Sequence, residues 1–257
     1  MRNSLQIQKI KTIFDFISFP LRLFLVLFVT LVDSSLAIFG ILLFNRWYKR
    51  LNHYRSWAHR LLFFSGVRVE TIGKENISKE KSYVFVANHS SYFDIPAAFV
   101  AIPNRMRIMY KKELEKIPVF GWYLKYSDFV GIEREAVASA RQSLNEALSL
   151  IRQDYSVLIF PEGTRSPDGR LGEFKRGALY LAFKSGKEIV PVTIIGAREI
   201  LPRGSFFFRT GKIKIVIGKP YTNNNIFDKS RMNEIKEYII NDIKENLFGE
   251  KDKLNNN

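Results

Sequence analysis

Two residues of complementary chemistry, His89 and Asp94, stand five positions apart in the segment Asn88-His89-Ser90-Ser91-Tyr92-Phe93-Asp94, directly after the apolar run Tyr83–Ala87. An imidazole can take a proton from a substrate hydroxyl through one ring nitrogen while a carboxylate holds the other nitrogen in the useful tautomer. The pair therefore reads as a general base and its orienter. The same residues also fit a plainer role, in which Ser91 or Asp94 caps a helix whose first turn holds Pro96 and His89 is an ordinary loop residue.

A second polar loop follows a second apolar run. Ser156-Val157-Leu158-Ile159-Phe160 leads into Pro161-Glu162-Gly163-Thr164-Arg165-Ser166. Gly163 lets backbone N–H groups come close to a ligand, Thr164 adds a hydroxyl, and Arg165 offers a planar fork that matches phosphate oxygens. Lys175 and Arg176 come shortly after, and Arg134 closes the run Phe129–Glu133. These cations are candidates for a phosphate clamp; the alternative is a turn with solvated charges. Glu162, a carboxylate beside an anion site, is expected to orient Arg165 or the loop rather than touch phosphate.

Both polar loops need rigid strands behind them. Runs with strand character are expected near Val67–Thr71, Tyr83–Ala87, Met106–Tyr110, Phe129–Glu133, Ser156–Phe160, Ile189–Ile195 and Lys212–Ile217. Unbroken apolar character marks the second and fifth as strands buried on both faces, and open α/β sheets place their sites at the carboxyl ends of such strands. Val137, Ala140, Leu144, Ala147, Leu148 and Ile151 recur at helical spacing, as do Met232, Ile235, Ile239 and Ile243. The expected fold class is α/β: a mixed, largely parallel sheet of about seven strands flanked by helices, with an N-terminal membrane-embedded helical segment. The expected organisation is a membrane-associating segment over 1–64, a catalytic domain over 65–250 and a frayed polar tail over 251–257.

Taken together, these segments resemble the glycerophospholipid acyltransferase family, in particular its 1-acyl-sn-glycerol-3-phosphate branch. NHSSYFD is similar to the family's His-x4-Asp block, Gly131-Ile132-Glu133-Arg134 to its second block, Phe160–Ser166 to its third and Val190-Pro191-Val192 to its fourth. Lys111-Lys112-Glu113-Leu114 with Ile117-Pro118-Val119-Phe120-Gly121 is similar to a segment of the lysophosphatidate branch. The resemblance covers about residues 82–195; Glu133 stands where the family often has a smaller acid.

The resemblance implies acyl transfer from a thioester, acyl-CoA or acyl carrier protein, to the sn-2 hydroxyl of 1-acyl-sn-glycerol 3-phosphate, with His89 as base and Asp94 as its partner. Arg134, Arg165 and Lys111 would hold the acceptor's phosphate, with Glu162 and Gly163 shaping the loop and Thr164 beside them. Glycerol 3-phosphate or another lysolipid as acceptor, and a lipid-binding protein without turnover, are the alternatives. A thioester is already activated, so direct attack within a ternary complex needs neither a covalent intermediate nor a metal. Backbone N–H groups near Val190-Pro191-Val192 are candidate oxyanion donors.

The chain has no Cys and three His, so a thiol nucleophile is excluded, a transition-metal site is not expected, and no cofactor is implied. Neither a nucleophile-elbow nor a phosphate-loop signature occurs. The run Leu23–Phe44 is apolar except for Thr30, Asp33, Ser34 and Ser35, long enough to cross about 30 Å of hydrocarbon as one helix. Asp33 would cost about 2.5–3.5 kcal/mol at the centre of such a span. Cations flank the run on both sides, at Arg2, Lys9, Lys11 and Arg22 and again at Arg46, Lys49, Arg50, Arg55 and Arg60, which puts both ends on the cytoplasmic face and favours a re-entrant hairpin turning at Asp33-Ser34-Ser35. Trp47, Tyr48, Tyr54 and Trp57 suit a headgroup level. The formal net charge of +15 calls for anionic partners: a membrane surface, an anionic lysophospholipid and an acidic donor. No nucleic-acid-binding pattern accompanies it.

Overall fold

The computed structural model describes residues 2–49, 53–133, 145–151, 155–222 and 229–255. Seven strands form one sheet: β1 (Val67–Ile72), β2 (Val84–Ala87), β3 (Met106–Lys111), β4 (Val130–Ile132), β5 (Ser156–Ile159), β6 (Ile189–Ile195) and β7 (Gly211–Ile217). Their order is β1-β7-β6-β2-β5-β3-β4, parallel throughout except where β7 runs antiparallel to β6. The α/β class and mixed, largely parallel sheet expected from the sequence are therefore found, each expected strand within a residue or two of its place.

The pleat explains the two uniformly apolar central strands. Phe85, Ala87 and Leu158 point to one side, where they pack with α2 (His53–Ser65) and α3 (Asp94–Ala101). Val84, Val86, Val157 and Ile159 point to the other, against α6 (Arg176–Lys184) and α8 (Lys229–Asn255). Burial on both faces removes any polar alternation. Val86 lies opposite Ile159, so β2 and β5 end side by side. From β2 the chain crosses by α3 to β3, beyond β5; from β5 it crosses by α6 to β6, beyond β2. The loops leaving these neighbours diverge to opposite faces, and a crevice opens between their carboxyl ends.

Three further short helices are α4 (Phe120–Tyr126), α5 (145–151) and α7 (Ala197–Ile200), and single 3₁₀ turns cover Lys74–Asn76 and Lys112–Lys116. Ala147 and Ile151 of α5 are buried as the helical spacing requires; Arg134, Val137, Ala140 and Leu144 lie outside the described residues.

The N-terminal segment departs from expectation. One continuous helix, α1 (Arg2–Lys49), runs through Asp33-Ser34-Ser35 without a turn. The polar centre is satisfied laterally by α2: Asp33 Oδ1 lies 2.5 Å from Arg60 Nη2, Trp57 Nε1 donates to Thr30 Oγ1 at 3.2 Å, and Ser34 is buried. Partners on a neighbouring helix remove the reason to break the helix there. Lower down, Arg22 is buried over the Phe208 ring and donates to Asp15 at 3.2 Å and to Ser65 O at 3.0 Å, while Asp15 accepts the Thr210 N–H at 2.8 Å. This network fastens α1 to the sheet, and Tyr54, Ala58, Leu61 and Leu62 of α2 belong to the same core as α3. The stretch Lys9–Phe44 is long and apolar enough to cross a membrane; 18 consecutive residues within it have mean hydropathy 2.3 and are only 28% buried. At the other end α8 continues helical to Asn255, through most of the segment expected to fray.

Candidate active site

The crevice between β2 and β5 carries both polar loops. Directly after β2, Asn88 holds the strand end in place: its Nδ2 donates to Ile194 O at 2.9 Å and its Oδ1 accepts the Ile194 N–H at 2.8 Å, extending the β2–β6 pairing with a side-chain amide. His89 follows. Its Nδ1 lies 2.7 Å from Asp94 Oδ2, and its ring stacks on Phe160 with centroids 4.1 Å apart and planes at 21°. Asp94 is fully buried, and the same Oδ2 accepts the N–H groups of Ser90 at 2.7 Å and Ser91 at 2.8 Å. A side-chain helix cap is absent: α3 begins at Asp94 after Phe93, and the carboxylate faces back into the turn. The Ser91 hydroxyl instead links Leu201 O to the Phe93 N–H.

With Nδ1 engaged, Nε2 is the ring nitrogen left for a substrate proton. Only 14% of the His89 side chain is exposed, so a hydroxyl reaches it through a narrow opening. Glu162 fixes the backbone beneath. Its Oε1 accepts the His89 N–H and its Oε2 the Gly172 N–H, both at 2.8 Å, and the Ser166 N–H donates to His89 O at 2.7 Å. Burial pushes the Glu162 carboxyl above its ordinary range, against the two N–H bonds that favour its charged form. Glu162 binds backbone of both loops; its oxygens are taken by His89 and Gly172 rather than by Arg165.

Arg165 packs its guanidinium 3.7 Å from the centroid of the Tyr92 ring, and its Nη1 is buried with no hydrogen-bond partner among the described residues. Gly163 has φ +68°, a left-handed turn, and the Lys175 side chain passes over the place where its Cβ would be. Glu162, Thr164, Arg165, Arg170, Lys175 and Arg176 line one cleft of about 640 Å³. Sequence reasoning brought five of these together and missed Arg170. It also missed Phe160 and Tyr92 as ring partners: both lie inside the quoted motifs, but only the fold reveals which rings meet.

Two expected contributors lie elsewhere. Lys111 ends β3 with its ammonium 3.3 Å from Glu113 and does not line the cleft of Arg165. Val190-Pro191-Val192 are buried in β6 opposite Phe85–Ala87, so their N–H groups belong to the ladder and Pro191 has none. They brace β2 and are not oxyanion donors. Arg134 lies outside the described residues.

On the α2–α3 side an apolar cavity of about 710 Å³ reaches Tyr92 and Phe93 of the histidine loop. Leu23, Trp57, Phe99, Ile117, Phe120 and Phe208 are among its walls, and the Asp33–Arg60 pair borders it. Val119, at φ 62° and ψ −60°, makes a tight turn in which the Phe120 N–H donates to Pro118 O at 2.7 Å, carrying Phe120 into that wall.

Among known proteins, the family model described as Acyltransferase matches residues 68–195. A chloroplastic 1-acyl-sn-glycerol-3-phosphate acyltransferase of Brassica napus is 34% identical over 184 residues, covering 70% of this chain and 53% of that protein. The 1-acyl-sn-glycerol-3-phosphate acyltransferase of Saccharomyces cerevisiae is 30% identical over 196 residues, 75% of this chain and 64% of that one. The chain thus spans about half the length of the Brassica relative. The crystal structure of a 1-acyl-sn-glycerophosphate acyltransferase from Thermotoga maritima superposes with TM-score 0.75 at 27% identity, covering 90% of this chain and 97% of that one.

Proposed function

We propose, from the premise that this chain belongs to the acyltransferase family, that it moves a fatty acyl group from a thioester to the sn-2 hydroxyl of 1-acyl-sn-glycerol 3-phosphate, yielding phosphatidate. The observation that carries this is the His89–Asp94 pair set beside the Arg165 guanidinium, whose Nη1 lacks a partner among the described residues. One group takes a proton from a hydroxyl, and the other awaits an anion.

In the proposed step the acceptor's phosphate sits on Arg165 with Lys175, Arg170 and Arg176 nearby, which presents the free hydroxyl to His89. Arg134 is a further candidate contact for that phosphate. Nε2 takes the hydroxyl proton as the oxygen attacks the thioester carbonyl carbon. The tetrahedral intermediate collapses with cleavage of the C–S bond, and the thiolate recovers the proton from the imidazolium. Asp94 keeps the ring in register and stabilises its positive charge during the step. Such a base supplies about 10²–10⁴-fold, and alignment of two bound substrates supplies much of the rest.

The apolar cavity supports lipid substrates, since its walls offer acyl chains an environment free of water. The exposed apolar side of α1, with Phe16 and Ile17 each more than 70% exposed, supports a membrane-bound enzyme. The catalytic part would lie on the cytoplasmic face, as the flanking cations suggest. Acyl-CoA and acyl carrier protein both remain donors in this reading.

Purified protein in detergent, given labelled acyl thioesters with lysophosphatidate, glycerol 3-phosphate or other lysolipids, tests it. Phosphatidate should form and should vanish in His89→Ala. Transfer only to a different acceptor, or no transfer at all, would overturn the proposal.

A further inference from the structure

Tyr92 sits in the turn between His89 and α3 and is 55% exposed, although the residues on either side of it are buried. Ser91 is held through its hydroxyl on Leu201 O at 2.8 Å, and Phe93 packs in the core beside Phe208, with ring centroids 5.6 Å apart. The backbone at Tyr92 is therefore set, and a large ring left half in water there adds little to the core. Its packing partner is a cation: the Arg165 guanidinium carbon lies over the ring, 3.7 Å from the centroid.

That contact joins the two polar loops. Arg165 is also restrained through its backbone. Its carbonyl accepts a bond from Arg203 Nη1 at 3.0 Å, and the next residue, Ser166, donates its N–H to His89 O at 2.7 Å. The Arg165 side chain has no ion-pair partner among the described residues, and Nη1 is buried there without a hydrogen bond. A ring against one face of a guanidinium takes up none of its N–H donors, which radiate in the plane of the group. It removes water from that face and rotamer freedom from the side chain, and it leaves the donor edge for an oxyanion. A carboxylate in the same place would restrain Arg165 but neutralise it. Glu162, three positions earlier, has both oxygens on backbone N–H groups instead.

We infer that Tyr92 is a positioning residue, whose ring holds the Arg165 guanidinium by cation–π contact in the pose that receives the acceptor's phosphate. This rests on the proposed acyl transfer and deepens it by tying the anion site to the base. Between His89 and Tyr92, the N–H groups of Ser90 and Ser91 are both bound to Asp94 Oδ2, so the imidazole and the ring that carries the cation are mounted on one braced turn. The ring also lines the apolar cavity, where contact with an acyl chain is the competing role. Leucine can replace an apolar wall but has no π face; phenylalanine keeps the face and loses only the hydroxyl.

The test uses the full chain in detergent and compares Tyr92→Leu with Tyr92→Phe. Calorimetric titration without thioester takes two probes, lysophosphatidate and glycerol 3-phosphate, the second offering a phosphate without hydrocarbon. Tyr92→Leu should weaken both by a similar factor of about five to ten, while Tyr92→Phe binds both within about twofold of the wild type. In turnover, KM for lysophosphatidate should rise by that factor in Tyr92→Leu, with a smaller change in kcat and none in KM for the thioester. Melting temperatures should agree within a few degrees. If Tyr92→Leu is too unstable to titrate, Tyr92→Met, which also lacks a π face, must show the same losses. Unchanged binding of both probes in Tyr92→Leu overturns the inference. Weakened lysophosphatidate with unaffected glycerol 3-phosphate overturns it too, since the ring would then serve the chain, and so does a wild type that binds neither probe. Ring-dependent binding of both probes without any acyl transfer would uphold the role of Tyr92 and count against the acyl-transfer reading alone.

Discussion

Asp94 Oδ2 is shared by three donors: it lies 2.7 Å from His89 Nδ1 and accepts the N–H groups of Ser90 and Ser91 at 2.7 and 2.8 Å. The two backbone bonds hold this oxygen still, so the imidazole has a single orientation in which Nε2 faces the crevice. Asp94→Asn removes the charge that stabilises the imidazolium and weakens control of the tautomer. It should lower kcat by about 10²–10⁴-fold with little change in either KM. Steady-state kinetics check this, and a loss of only a few fold would show that His89 works without its partner.

Glu162 should behave as a positioning residue. In Glu162→Gln one carboxylate oxygen becomes an NH₂ group facing either the His89 or the Gly172 N–H, which then lacks an acceptor. A buried donor left unpaired costs about 1–3 kcal/mol, readable by denaturant titration. Because His89's own backbone moves, kcat should fall by about tenfold, roughly the effect of a small misplacement at a reacting centre. Stability lost with kcat intact would confine Glu162 to the loop.

Gly163→Ala tests the anion cleft by backbone strain. The turn has φ +68°, and a Cβ would stand 3.0 Å from Lys175 Cδ and Cε. The strained backbone should cost about 1 kcal/mol of stability, and Lys175 must move aside. KM for the phosphate-bearing acceptor is expected to rise several fold, while affinity for the thioester stays the same. A rise in both would place Gly163 at a shared wall.

Asp242 gives a pH-dependent prediction away from the site. Burial, with Glu245 nearby, pushes its carboxyl up to about 6, against a 3.2 Å bond from Asn246 that favours the charged form. A folded-state value above the unfolded one means that the group's stabilising contribution is full below about pH 4 and lost as pH rises through about 6. Asp242→Asn should therefore be neutral in acid and stabilising at pH 7. Since the side chain is partly exposed, the gain should be no more than about 1 kcal/mol. Melting temperatures at pH 4.5 and 7.5 check the sign, and equal shifts at both would rule out titration as the cause.

The strands were legible in the sequence because their apolar runs are short, unbroken and spaced by helical patterns, and parallel α/β sheets bury both faces. The His89–Asp94 pairing was legible because five positions fit one turn leading into a helix. Other features depend on contacts distant in sequence. Asp33 suggested a break in α1 because its partner, Arg60, lies on another helix that one-dimensional hydropathy does not bring near. Glu162 was expected to serve the loop, but that it holds the backbone N–H of His89 depends on β2 and β5 being neighbours. Val190-Pro191-Val192 looked available as donors because their motif suggests a site, yet the register buries them behind β2.

The strand order also fixes when the machinery can exist during synthesis. The apolar α1 is made first, whereas the sheet is completed from both directions by late arrivals: β2 waits for β5 on one side and β6 on the other, and β1 waits for β7. Until those segments leave the ribosome, His89 has no stacked Phe160 and no Glu162 under its backbone, and Asn88 has no Ile194 to hold it. Pairings this distant in sequence form slowly. A nascent chain thus has its most apolar helix long before the His89–Asp94 pair is braced, and a chain truncated before β6 would expose that helix with the pair unsupported.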